Sequence, residues 1–270
     1  MSDKGSVFQK GGGGTNFEQA IQTAFLTTLI IHGNAPLNFA NEIIEVAFQT
    51  TNRGYETDDL LVVTKSAIGQ HRLLIQIKNN ITFTADNPLF KEVIKAFWKD
   101  YNNTALFDKA KDRLIIIKSG FTKEERNHLK SLLDWANTHA TETDFVTEAN
   151  RIKGKKDRLR FFRESLKEVN NNTALTDKNI WEFLKCFDVL EYDFTNQNSV
   201  DEIYFLNLIK LCKNGETTAN EKDILASISS FVSKLNKDGG SVTTASIQEE
   251  ELYKHFDTKK LRPILNVLIS

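Results

Sequence analysis

Apolar residues recur along this chain at two spacings, one of three to four residues and one of two. Phe17, Ile21, Ala24, Phe25, Thr28 and Leu29 keep the helical spacing, which predicts a helix that buries one face and ends near His32-Gly33. Thr15 or Asn16 supplies its N-cap, with Glu18 as capping-box partner for Thr15. Ile44, Val46 and Phe48 alternate with Glu45, Ala47 and Gln49, which favours a strand; a helix from Asn38 is the alternative. After the turn Thr51-Asn52-Arg53-Gly54 come two apolar runs, Leu60-Leu61-Val62-Val63 and Leu73-Leu74-Ile75-Gln76-Ile77-Lys78, both read as short buried strands. Asp86-Asn87-Pro88 starts a helix with proline in its first turn, and Phe90, Val93, Ile94, Phe97, Trp98 and Tyr101 form its apolar stripe. Leu114 to Ile117 is a fully apolar strand. Thr122-Lys123-Glu124-Glu125 is a capping box opening a helix with Leu129, Leu132, Leu133 and Trp135. The order so far is α-β-β-β-α-β-α.

The pattern changes near residue 148. A stretch dense in positive charge runs from Arg151 to Arg160, and helical spacing then dominates: Arg158 to Val169, Asp177 to Phe187, Val200 to Lys213, Glu221 to Leu235, Ile247 to Phe256, and a last segment from Thr258. Gly239-Gly240 marks a loop. The expectation is a first domain over residues 1–148 and an all-α domain over 149–270. The first 14 residues, closing on Gly11 to Gly14, read as a flexible leader. The sequence stops inside an uncapped apolar pattern, Leu261 to Ile269, as expected of a module that continues into more protein.

Composition narrows the function classes. With 40% hydrophobic and 26% charged residues, the chain can build an ordinary globular core. A net charge of −1 excludes a globally basic nucleic-acid binder, so any such surface is a local patch. The two cysteines, Cys186 and Cys212, sit in apolar helical contexts without CxxC spacing, which argues against a disulfide framework or zinc site. A reducing cytoplasmic compartment fits, since no signal-peptide h-region appears and no apolar run approaches the roughly 20 residues that span a bilayer. The glycine run lacks the Lys-Ser/Thr of a P-loop, no G-x-S-x-G occurs, and His32, His71, His128, His139 and His255 show no zinc-hydrolase spacing. Trp98, Trp135 and Trp181 fall on apolar stripes and read as core.

One constellation carries chemistry. Along the second of the paired strands, Arg72, Leu74, Gln76 and Lys78 share one face and Leu73, Ile75 and Ile77 the other. Asp58-Asp59 precedes the neighbouring strand. A carboxylate at the mouth of one strand beside an amide and an ammonium can hold a divalent metal against a phosphodiester. Hydrolysis needs an activated water and neutralised phosphate charge, both of which Mg²⁺ supplies from oxygen ligands. Asp59 is the better ligand of its pair because it abuts the strand. Gln76 stands where a second carboxylate is expected, the Ile77 carbonyl is a further ligand, and Glu18 can supply the missing charge. Lys78 is the candidate catalytic lysine. Against this, Asp-Asp before a strand is also a common turn cap, and Gln-x-Lys on an edge strand a common solvated face. Lys153, Lys155, Lys156, Arg158 and Arg160 are candidates for tracking a DNA backbone, as are Lys91, Lys95 and Lys99; a solvated helix face is the alternative for both groups.

These motifs resemble the PD-(D/E)XK endonuclease superfamily, whose restriction-endonuclease-like core runs α-β-β-β-α-β; the third motif here is the variant Gln76-Ile77-Lys78. Phe17-Glu18, Thr57-Asp58-Asp59-Leu60 and Gln76-Ile77-Lys78 after a Gly-rich leader are similar to the double-stranded-DNA endonuclease domain of bacterial antiphage effectors of the CD-NTase-associated, STAND NTPase and Lamassu types. Phe183 to Phe187, Tyr192-Asp193-Phe194 and Asp201 are similar to the helical region that often follows it. The resemblance implies Mg²⁺-dependent cleavage of double-stranded DNA, with Mn²⁺ as alternative ion, and activation by assembly with further copies or with defence-system subunits. A catalytically inactive nuclease-like module that binds DNA or partner proteins is the alternative.

Overall fold

The computed structural model describes residues 13–36, 41–67, 69–194, 198–257 and 260. In chain order the elements are α1 (Gly13–Ile30), β1 (Glu42–Phe48), β2 (Leu60–Ser66), β3 (Gly69–Ile77), α2 (Pro88–Asn102), β4 (Arg113–Lys118), α3 (Ser131–Thr138), α4 (Glu142–Arg151), α5 (Lys153–Val169), α6 (Asp177–Lys185), β5 (Phe187–Glu191), α7 (Val200–Cys212), α8 (Glu221–Asp238) and β6 (Ser241–Thr243). A π-helical turn, Glu125–Lys130, leads into α3. The fold is mixed α/β, with the strands ordered β5-β4-β3-β2-β1-β6 in one sheet. Neighbours β1 and β2 are antiparallel, as are β1 and β6, whereas β4 and β5 are parallel. The first elements follow the order expected from the sequence.

The second half is not all helical. Phe187 to Glu191, whose start was assigned to a helix, forms β5 and pairs with Leu114 to Lys118. The ring of Phe187 explains the change: it packs edge-on against Phe97 at 5.7 Å and Phe162 at 5.4 Å, a core position that sheet pairing supplies. Beyond Gly239, which caps α8 in the left-handed region at φ 59°, the chain pairs as β6 with β1. The segment expected as a helix from Ile247 to Phe256 is two 3-10 turns, Ser246–Glu249 and Glu251–His255. Glu42 to Phe48 forms the favoured strand and not the alternative helix from Asn38; the helix start at Thr258, the pattern Leu261 to Ile269 and the leader before Gly13 lie outside the described residues.

The chain divides into two compact units. The first comprises Met1–Asn52, Asp58–Leu73 and Tyr192–Ser270; the second comprises Arg53–Thr57 and Leu74–Glu191. The division expected near residue 148 falls within α4 of the second unit.

In the first unit α1 packs on α8 and β1. It is buried nearly all round rather than on one face: Ile21, Leu26 and Leu29 are fully buried, and so are Gln22, Thr23 and Thr27. The threonines close their hydroxyls onto the preceding turn, Thr23 to the Gln19 carbonyl at 2.7 Å and Thr27 to the Thr23 carbonyl at 2.8 Å, so they need no partner outside the helix. Gly13 and Gly14 belong to α1, so Thr15 and Asn16 lie within its first turns instead of capping it.

The second unit is built around aromatic rings. Phe90 meets Phe162 at 5.7 Å, and Tyr101 meets Phe183 at 5.3 Å. Two predicted helix starts are realised here. The Asn87 side chain accepts from the Phe90 amide at 2.9 Å, with Pro88 following it. The Thr122–Glu125 box closes in both directions, at 2.8 Å from the Thr122 amide to the Glu125 carboxylate and 3.2 Å from the Glu125 amide to the Thr122 hydroxyl. No helix among the described residues is long and apolar enough to cross a membrane.

Candidate metal and catalytic residues

Glu18 and Asp59 belong to the first unit. Glu18 projects from α1, and Asp59, only 6% exposed, directly precedes β2. Gln22, one turn beyond Glu18 and fully buried, joins them: its Nε2 donates to Glu18 Oε1 at 3.1 Å and to the Asp59 main-chain oxygen at 3.0 Å. Its Oε1 accepts from Asn236 Nδ2 of α8 at 2.6 Å. One turn earlier, Gln19 Nε2 lies within hydrogen-bond reach of the Ser229 carbonyl, the Ser229 hydroxyl and the Ser233 hydroxyl, at 2.9, 2.8 and 2.7 Å. Sequence reasoning missed Gln22. The signal was available: Gln22 stands four residues after Glu18 and three before Phe25, on the apolar face of α1, where a buried amide must find partners.

Gln76, Ile77 and Lys78 belong to the second unit. Gln76 and Ile77 are each 4% exposed, and Lys78 is half-buried where β3 ends. In the strand order β3 is interior, so the edge-strand reading of Gln-x-Lys does not hold. The Lys78 amide donates to the Ile117 carbonyl at 2.9 Å. The segment after it is held at three further carbonyls: Asn79 by the Ser119 hydroxyl at 3.3 Å, Ile81 by Lys118 Nζ at 2.9 Å, and Phe83 by the Arg158 guanidinium at 2.5 Å. Lys118 is itself buried against Glu125, 3.0 Å from each carboxylate oxygen. Upstream, the Asp100 carboxylate accepts the Glu56 and Thr57 amides at 2.8 Å each, and burial raises its pKa above the usual carboxylate value.

The basic run forms the start of α5, and its five candidates separate. Lys155 is buried, its ammonium 3.6 Å from the centre of the Trp135 ring, and burial lowers its pKa. Arg158 is committed to the Phe83 carbonyl, and Arg160 lies near Asp157 and Glu164 at 3.6 and 3.8 Å. Lys153 and Lys156 face solvent. Of the α2 lysines, Lys91 pairs with Glu168 at 2.7 Å and Lys99 with Glu56 at 3.0 Å.

Among the described residues, no group of three or more His, Cys, Asp or Glu side chains is placed to hold a metal ion. Gln22 nevertheless gathers two hard-oxygen groups, the Glu18 carboxylate and the Asp59 main-chain carbonyl. One or two carboxylates, with several waters kept, are what Mg²⁺ ordinarily takes from a protein. The donor chemistry therefore fits the ion implied by the sequence.

No family model matches the chain, and neither does any curated protein. Among solved structures it is similar to the Acinetobacter baumannii Cap4 SAVED/CARF-domain containing receptor, both alone and with the cyclic trinucleotide 3'3'3'-cAAA. The TM-score is 0.49 and the identity 12%, over 94% of this chain and 48% of that one. It is also similar to the Moraxella osloensis Cap4 SAVED/CARF-domain containing receptor, with a TM-score of 0.45 and 14% identity over 84% of this chain and 44% of that one. The chain thus spans about half the length of these receptors.

Proposed function

We propose that the chain is a metal-dependent endonuclease that hydrolyses phosphodiester bonds of double-stranded DNA, acting in the cytoplasm as an antiphage defence effector switched on by assembly. The observation that carries this reading is the order α1-β1-β2-β3-α2-β4, with Glu18 on α1, Asp59 ahead of β2, and Gln76-Ile77-Lys78 at the end of β3. Within the first unit, Glu18 and Asp59 would hold Mg²⁺ or Mn²⁺; the Gln76 amide oxygen and the Ile77 carbonyl are the neutral donors that the resemblance implies. The bound ion would neutralise phosphate charge and acidify a water. Lys78, at the end of β3, orients or deprotonates the attacking water and counters charge on phosphorus. Lys153 and Lys156, the solvent-facing cations of the basic run, contact the DNA backbone. The C-terminal helices carry assembly or the link to a regulatory module.

The test is plasmid DNA incubated with the purified chain in Mg²⁺, in Mn²⁺ or in EDTA. Nicking or degradation that EDTA abolishes is the expected result. A second reading, an inactive nuclease-like module that binds DNA or protein, is favoured by one feature, the neutral Gln76 where a carboxylate would serve. It predicts DNA retention without cleavage in all three conditions.

A further inference from the structure

We propose that Gln22 is a positioning residue for the metal site, holding the Glu18 carboxylate against the Asp59 main chain, and that Asn236 of α8 anchors its other end. The proposal rests on the metal-binding reading of Glu18 and Asp59. An amide has one donating and one accepting end. The Glu18 carboxylate oxygen and the Asp59 carbonyl only accept, so Nε2 must face both, and it commits its two hydrogens there. The opposite end is met by a donor, Asn236 Nδ2, at 2.6 Å. Turning the Gln22 amide over would set oxygen against two acceptors and one NH₂ against another. The two acceptors therefore decide the orientation, and Asn236, which lies 214 residues away in sequence, completes it by donating to the opposite end.

Two further observations show that this contact is not ordinary helix packing. Asn236 leaves its own Oδ1 buried without a hydrogen-bond partner, a cost that apolar packing would not incur. Ser229, Ser233 and Asn236 are spaced by four and three residues, one stripe of α8, and they meet Gln19 and Gln22 on α1. This polar seam joins α8 to α1 beside positions, Ile21, Phe25, Ile228 and Val232, that are buried and apolar. A slide or loss of α8 takes this donor away and leaves the Gln22 amide held by its two acceptors alone. Through this bond α8 steadies the amide that holds Glu18 against the Asp59 main chain.

The experiment is a Mn²⁺ titration of the full chain, followed by electron paramagnetic resonance, with thermal melting of every variant. Gln22→Met should weaken Mn²⁺ binding about 10- to 100-fold and Asn236→Ala about tenfold, the range typical of groups that orient metal ligands. Gln19→Met, which removes a grip on α8 but touches neither carboxylate, should lower the melting temperature and leave Mn²⁺ affinity unchanged. Asn236 is only half-buried, so Asn236→Ala carries the test if Gln22→Met fails to fold. Wild-type affinity in both Gln22→Met and Asn236→Ala, while Glu18→Ala and Asp59→Ala lose Mn²⁺, would overturn the proposal and leave the metal site standing. So would an equal loss in Gln19→Met. No Mn²⁺ binding by the wild type, or full binding by Glu18→Ala and Asp59→Ala, would overturn the metal-binding reading and this proposal with it.

Discussion

The buried ion pair of the second unit offers a quantitative test of what holds the end of β3. Lys118 and Glu125 have side chains only 7% and 5% exposed, with Nζ 3.0 Å from each carboxylate oxygen and 2.9 Å from the Ile81 carbonyl. Replacing Lys118 by Met leaves the Glu125 charge buried with only its Thr122 amide bond, and the expected cost is about 3–5 kcal/mol. Glu125→Leu strands the ammonium and should cost a similar amount. The double variant removes both charges together. It loses the helix cap, about 1 kcal/mol, and orphans the Ile81 carbonyl, about 1–3 kcal/mol. It should therefore be only about 2–4 kcal/mol less stable than wild type, far short of the summed single costs. Urea unfolding followed by tryptophan fluorescence reads this unit alone, because all three tryptophans, Trp98, Trp135 and Trp181, lie within it. A Lys118→Met cost under about 1 kcal/mol, or additive single costs, would refute the reasoning.

Other expectations follow from single residues. Gly154 occupies the first turn of α5, where alanine usually favours a helix by about 1 kcal/mol; an added Cβ would lie 2.5 Å from His128 Nε2, so Gly154→Ala should instead cost about 1–3 kcal/mol in the same urea assay. Cys186 and Cys212 are free and buried, and burial pushes both thiols up to about 11, leaving roughly one thiolate in a thousand at pH 8. Iodoacetamide should label neither in the native chain and both after denaturation; rapid native labelling would contradict the burial. Burial also raises the Asp188 carboxyl above its usual value of 3.8, so the folded state binds this proton more tightly than the unfolded chain. Its charged form then opposes folding once the pH passes that raised value. Asp188→Asn, which keeps the oxygen that accepts the Val189 amide, should stabilise the protein at pH 7 and lose that advantage toward pH 3.

How much of this was legible in the chain depends on where the deciding force acts. Asn87-Pro88 and Thr122-Glu125 announce their helices because cap and partner lie within three residues, and the structure closes both caps as read. Leu60 to Val63 and Leu73 to Ile77 read as buried strands because short apolar runs bounded by turn residues suit a sheet interior covered on both faces. Phe187 to Glu191 was hidden: it continues the helical spacing of α6, and only pairing with β4 and the ring cluster at Phe187 make it a strand. Lys155 and Arg158 looked like a basic surface, yet each spends its charge within the second unit, on the Trp135 face and the Phe83 carbonyl. At Gln22 the partner Glu18, four residues away, was legible, whereas Asp59 and Asn236, 37 and 214 residues away, lay beyond any local pattern.

Lys78 is where the nuclease reading is most exposed to test. Plasmid cleavage in Mn²⁺ by the wild-type chain and by Lys78→Ala, compared at low and high protein concentration and with matched urea unfolding, addresses it directly. The account predicts metal-dependent cleavage by the wild type, increasing with concentration as assembly sets in, and loss of that cleavage in Lys78→Ala with stability changed by less than about 0.5 kcal/mol. Undiminished cleavage by Lys78→Ala, or none by the wild type at any concentration, would contradict it.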